Sequence, residues 1–269
     1  MKKTSFLLVL FLFNHALCSF TFAQSDDSRI KLSIGTDLVS RYVWRGSQYS
    51  TNPCIQPGIE ANIGNLTFGA WGSYAFDGLP FNAEADLYLT YSFADQMFSA
   101  TITDYFFPAD VIGGKNKYFV YDQDKTGHLL EATLTFNGTD NIPVKFLAAM
   151  NFYGADNKKI EDNPVSPDFN QTTENQYSTY LELSFPFSVS ETGMNVFAGF
   201  TPNDPKEDDP ETGYIGESGF YGDSMGFVNL GLTASKKIQI SKTYSLPVSC
   251  SFVVNPMSEN VFIVFGLSL

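Results

Sequence analysis

The chain has 269 residues, a formal net charge of −13 and 26 Phe with 14 Tyr. An acidic chain repels phosphates, which excludes nucleic acid as a partner. The cysteines beyond residue 23, Cys54 and Cys250, with His128 as the one histidine there, are too few for a metal centre, and no cofactor is expected.

Residues 1–23 have the form of a secretory signal peptide. Lys2 and Lys3 precede an apolar run from Phe6 to Phe13, and Thr21-Phe22-Ala23 precedes Gln24. Leu17 is too large for the residue before a lipidated Cys18. Removing Lys2 and Lys3 takes the charge from −13 to −15. No later stretch has the roughly 20 consecutive apolar residues of a membrane helix.

Alternating runs of about ten residues follow, the length of a transmembrane strand. The first is expected over Ile30 to Trp44. Ile30, Leu32, Ile34, Leu38, Tyr42 and Trp44 share one face, and Lys31, Ser33, Asp37, Arg41 and Arg45 the other. Cys54 to Ile63 and Leu66 to Phe76 flank Gly64-Asn65, a two-residue hairpin turn. Ala83 to Phe93 alternates Leu87 and Leu89 with Glu84 and Asp86. Further runs cover Phe98 to Phe107, Leu130 to Phe136, Val144 to Tyr153, Tyr177 to Phe187, Met194 to Thr201, Phe227 to Ala234, Tyr244 to Val254 and Val261 to Leu269. By parity Cys54 faces inward and Cys250 outward, so no disulfide is expected.

The count is about twelve, and the connections alternate. Those after odd-numbered runs include residues 108–127, 154–175 and 204–224, the three longest. Outer-membrane barrels combine short periplasmic turns with long external loops. An exported β-sandwich also alternates, but its apolar faces need no aromatic rims. The joint pattern favours one all-β domain, residues 24–269: an antiparallel transmembrane β-barrel of about 12 strands in the outer membrane of a Gram-negative bacterium.

Ser40, Tyr42-Val43-Trp44-Arg45-Gly46, Pro53, Gln56 and Gly58, followed by Gly69-Ala70-Trp71-Gly72-Ser73, resemble the signature of the Gcw-type conserved outer-membrane family, also called the TorF family of porins. Glu84-Ala85-Asp86-Leu87-Tyr88, Tyr105-Phe106-Phe107-Pro108 and Leu130-Glu131 are similar to later landmarks. The resemblance is good over residues 35 to 136. Cys54 replaces the family's usual small residue, and Leu269 replaces the terminal aromatic residue that the barrel assembly machinery reads. The resemblance implies an outer-membrane location and a porin label.

Inward parity marks Asp37, Arg41, Arg45, Glu60, Trp71, Glu84, Asp86, Glu131, Lys145 and Glu182 as candidates to line a pore and sort small hydrophilic solutes by charge. The bland alternative is an ion-pair network that stiffens the barrel. Tyr42 and Trp44 are expected in the outer aromatic girdle among outer-membrane lipids. Arg41 and Arg45 are expected to neutralise Glu60, Glu84 and Asp86. The acidic stretch 204–211 reads as a solvated loop. The calcium-like Asp122 to Gly127 fails where Thr133 replaces the bidentate glutamate. Asn65, Asn137 and Asn170 in N-x-Thr sequons are chance matches. No nucleophile is marked as a partner for His128, so no enzyme is expected. The function expected is a porin or narrow solute channel. The alternative is a non-conducting surface barrel whose acidic loops bind a partner or support the envelope.

Overall fold

A computed structural model describes residues 30–79, 82–109, 115–123 and 125–269; the expected signal peptide lies outside them. In chain order the strands are β1 (Ile30–Val39), β2 (Tyr42–Trp44), β3 (Ser47–Ser50), β4 (Cys54–Ile63), β5 (Leu66–Ala75), β6 (Ala83–Phe93), β7 (Phe98–Phe106) and β8 (His128–Phe136). There follow β9 (Lys145–Gly154), β10 (Lys158–Ile160), β11 (Thr172–Asn175), β12 (Thr179–Val189), β13 (Thr192–Thr201), β14 (Gly226–Gln239), β15 (Ser245–Asn255) and β16 (Asn260–Ser268).

Twelve of these close an antiparallel barrel in the order β1-β4-β5-β6-β7-β8-β9-β12-β13-β14-β15-β16. The pairs β2–β3 and β10–β11 are separate ribbons. Each expected run from Cys54 onward forms a barrel strand. The first run does not keep its length: β1 stops at Val39, and Tyr42 and Trp44 leave the wall.

The side-chain period of two sorts the wall into faces. Leu32, Ile59, Phe68, Leu87, Ile102 and Leu134 are exposed on the outside. Two aromatic rims bound this surface. At the turn end Phe93 lies 5.6 Å from Phe98, which lies 5.4 Å from Phe136. At the loop end Phe200 meets Phe227 at 5.4 Å, with Tyr74 exposed on β5 and Phe76 exposed just beyond it. Such rims fit the two interfaces of a bilayer rather than a water-facing sandwich.

Closure rests on a short seam. β1 pairs with β4 along its whole length, Ile30↔Ile63 to Val39↔Cys54. Against β16 it is in register only from Asp37↔Ser268 to Val39↔Gly266. Thr36 extends this with two backbone bonds to Leu269, at 3.1 and 2.9 Å. Ser40 ends it: its N–H donates to the Phe265 carbonyl at 2.9 Å, and its hydroxyl accepts from the Phe265 N–H at 3.0 Å.

Inside, aromatic rings lie over glycines on the neighbouring strand. A Cβ on Gly199 would stand 2.1 Å from the Tyr180 hydroxyl, and one on Gly69 would stand 2.0 Å from the Tyr88 ring. The wall thereby gains room for large inward side chains without pushing its strands apart. Gly199→Val is expected to cost about 1–3 kcal/mol by overpacking. Ala198→Val, on the outer face of the same strand, is expected to change little. Denaturant unfolding of the detergent-folded barrel compares them, and equal effects would contradict the ring-over-glycine account.

Candidate functional site

At Ser40–Arg41 the chain bends off the wall. β2 and β3 run back to back as a hairpin, with Trp44 paired to Ser47. The turn between them is Arg45-Gly46, with φ values of 49° and 80°. Two positive values in succession make the primed turn that matches strand twist, and its second position suits glycine. The tip reaches the wall formed by β14 and β15. Asn255 Nδ2 donates to the Gly46 carbonyl at 3.1 Å. A Cβ on Gly46 would fall 1.8 Å from the Val228 carbonyl oxygen, so no larger residue seats there.

The hairpin therefore lies inside the loop half of the barrel, and Arg45 is its anchor. Its guanidinium grips Glu131 with both arms. Nη1 bonds Oε2, and Nη2 bonds Oε1 at 3.0 Å. Nη1 also donates to the Tyr221 hydroxyl at 2.6 Å. Glu131 accepts further from Tyr105 at 3.1 Å and Thr133 at 2.8 Å. The guanidinium carbon sits 4.3 Å from the Trp44 ring centroid and 4.7 Å from that of Tyr180. Glu131 is 0% exposed and the Arg45 side chain 9%. Water is thus replaced by charge-assisted bonds and ring faces, the conditions under which a buried pair holds. Burial raises the Tyr221 phenol above its usual range, so it stays protonated beside the cation.

Rings and aliphatic groups fill the rest of this level. Tyr42 packs on Trp71 at 5.7 Å, Trp44 on Tyr105 at 5.5 Å and Tyr49 on Phe107 at 6.4 Å. Val43 packs against the buried Phe197, Val253 and Phe262. At the loop end, residues 155–178 and 202–225 are tied to each other. Glu217 accepts from the Ile160 and Lys206 N–H groups at 3.0 and 3.2 Å. Asn170 donates to the Gly213 carbonyl at 2.9 Å and accepts from the Ile215 N–H at 3.1 Å. Lys206 pairs with Asp162, and that bond lowers the Asp162 carboxyl.

Toward the turn end the lining is polar. Tyr88 donates to Glu60 at 2.6 Å, Thr67 to Asn62 at 2.6 Å, and hydroxyls pair at Thr90–Thr101 and Thr233–Ser251, both 2.8 Å.

The ten residues singled out from the sequence fall in three groups. Arg45 and Glu131 form the anchor. Glu84, Asp86, Trp71 and Glu182 are shielded around the hairpin; Tyr180 donates to Glu182 at 2.5 Å. Asp37, Glu60 and Lys145 sit on the inner face elsewhere, and Arg41 occupies the bend. Two expectations are corrected. Arg45 neutralises Glu131, not Glu60, Glu84 or Asp86, because the turn carries it across the lumen. Tyr42 and Trp44 pack against lumen residues, not lipid, because they belong to the hairpin. Tyr221 and Tyr105 were not among the candidates, since nothing local in a sequence pairs a loop phenol with an arginine 176 positions away.

His128 has an acid partner, Asp104, 2.7 Å from Nδ1, while Nε2 faces the Tyr118 carbonyl at 2.6 Å. Both nitrogens are occupied, which leaves neither to take a proton from a nucleophile. Among the described residues no group of three metal-ligating side chains is present. Cys54 and Cys250 are free thiols.

No family model matches the chain, so the resemblance to the Gcw-type family has no family match behind it, and no curated protein matches the chain. Solved structures that match include an OmpF chain from Salmonella typhi, in a complex with daunomycin. It is 13% identical, the alignment covers 89% of this chain and 97% of that one, and the TM-score is 0.35. The fold assignment therefore stands on this barrel's own strand order and register.

Arg45→Met or Glu131→Leu alone should destabilise the barrel by about 3–5 kcal/mol, because each strands a buried charge. The double variant should recover most of that loss. Urea unfolding of all four proteins gives the coupling, and additive losses would show that the two side chains do not act as a pair.

Proposed function

We propose that the chain, freed of residues 1–23, is an outer-membrane channel of a Gram-negative bacterium for small hydrophilic solutes. The barrel assembly machinery would insert it, reading the alternation that ends Phe265-Gly266-Leu267-Ser268-Leu269. The first loop holds the channel shut from the loop side. One observation carries this reading: the plug is a hairpin joined to the wall only through β1 and β4. It is seated by side-chain bonds and one Asn255 contact rather than by the barrel's ladder.

Release of the hairpin would open the loop half onto the hydroxyl-lined half beneath it. The conduit would favour cations. Among the inward candidates six acids, Asp37, Glu60, Glu84, Asp86, Glu131 and Glu182, outnumber the three cations Arg41, Arg45 and Lys145.

A second reading has its own support. The tied loops 155–178 and 202–225 present a rigid surface carrying Glu207, Asp208, Asp209 and Glu211, all exposed or half-buried. A non-conducting barrel with such a surface would bind a partner or support the envelope.

Planar-bilayer recording separates the two. The intact protein should give rare, small, cation-preferring steps. Arg45→Ala should raise the open fraction by about a hundredfold, equivalent to losing roughly 3 kcal/mol of closure. Replacing residues 42–50 with a short Gly-Ser link should hold the channel open. A folded barrel that stays silent after that replacement is not a channel, and loss of partner binding on deleting residues 204–211 would favour the surface role.

A further inference from the structure

The pair His128–Asp104 lies on the outer face of the wall. Asp104 and Ile102, two residues apart on β7, share a face, and Ile102 points out; His128 stands opposite Phe106 on that same face. An ionisable pair bared to hydrocarbon would be costly. Here a strap from the loop after β7 covers it. The Tyr118 carbonyl meets His128 Nε2 at 2.6 Å, and Tyr153 donates to the Tyr121 carbonyl at 2.5 Å. The imidazole stacks on Tyr121 at 4.2 Å and packs against Phe106 at 4.7 Å and Tyr118 at 5.0 Å.

The strap is thus fixed to the outside of the barrel by its backbone and by ring contacts, and it still presents apolar surface outward. Phe119 is 89% exposed, and Tyr118 and Tyr121 are exposed beside it. The flanking lysines add charge. Lys125 pairs loosely with Asp122 at 3.5 Å. Lys115 and Lys117 are exposed and form no ion pair among the described residues. Cationic and aromatic residues meet here, at the loop-end rim of a chain whose net charge is −13.

We propose that the strap Tyr118–Tyr121, with Lys115 and Lys117, docks onto phosphorylated lipid headgroups of the leaflet around the loop end of the barrel. Phe119 enters the interface, and the two ammonium groups meet the phosphates. The location argues for lipid: the strap lies over the outward-facing pair Asp104–His128, on the face of the wall that the bilayer would cover. The proposal rests on the membrane-barrel reading.

The test uses Phe119→Trp in the full-length mature protein, reconstituted into vesicles containing brominated phosphatidylglycerol or brominated phosphatidylcholine. The background from Trp44 and Trp71 is measured on the unsubstituted protein. The indole introduced on the strap should be quenched by both lipids, with a preference for the anionic one. Changing Lys115 and Lys117 to Gln should reduce that preference by about fivefold per lysine. Quenching no greater than that of Glu207→Trp, whose indole stands on the acidic loop, overturns docking. A preference untouched by the lysine changes overturns the phosphate contact. Gel migration of unheated and boiled samples, and flotation with the vesicles, are followed on the same preparation. A protein that neither shifts on heating nor floats overturns the membrane reading and the docking together; loss of quenching in a folded, floating barrel overturns docking alone.

Discussion

In hydrocarbon a backbone N–H or C=O has no water to bind, so a membrane sheet must close on itself. Twelve strands satisfy that demand here and create a second problem. At a spacing of about 4.8 Å and a tilt near 40°, twelve strands enclose a ring roughly 24 Å across between backbones. Wall side chains alone do not fill it. The hairpin that follows β1 fills the loop half, and the hydroxyl-lined remainder stays polar. Closure and plugging are thus successive consequences of one requirement.

The plug places its costs at its tip. Arg45 adopts a left-handed backbone conformation that costs a non-glycine residue roughly 1–2 kcal/mol, and it carries a charge out of bulk water. Both are offset at the same atoms: two carboxylate oxygens, one phenol and two ring faces receive the guanidinium. A lysine has the charge without the fork or the flat face.

The strand rhythm was legible because the bilayer imposes it: an outward polar residue is expensive, so alternation runs through the strands from Cys54 onward, broken by register shifts at Leu130/Glu131 and Gly199/Phe200 and by the covered outward pair Asp104–His128. The hairpin hid for the same reason. Tyr42, Val43 and Trp44 continue the period of β1, and a ribbon inside a barrel alternates like a strand in its wall. One clue was present. The run Ile30 to Trp44 is longer than the roughly nine to eleven residues that cross a bilayer, and Gly46 stands where a turn would need it. Arg-Gly is not the Asn-Gly or Asp-Gly pair that advertises such a turn. Glu131 was identifiable as an inward acid, but its partner was not. The contact joins positions 86 apart through a loop that crosses open space, and no periodicity encodes that.

Ser40 has two duties. It makes the last bonds between the first and last barrel strands, and it is the residue at which the chain turns into the lumen. The seam it completes is a zipper only a few teeth long. Any outward swing of the hairpin pulls on its top tooth. A hairpin that moved would therefore load the barrel's shortest join, and the bonds between Ser40 and Phe265 would be the first to feel it.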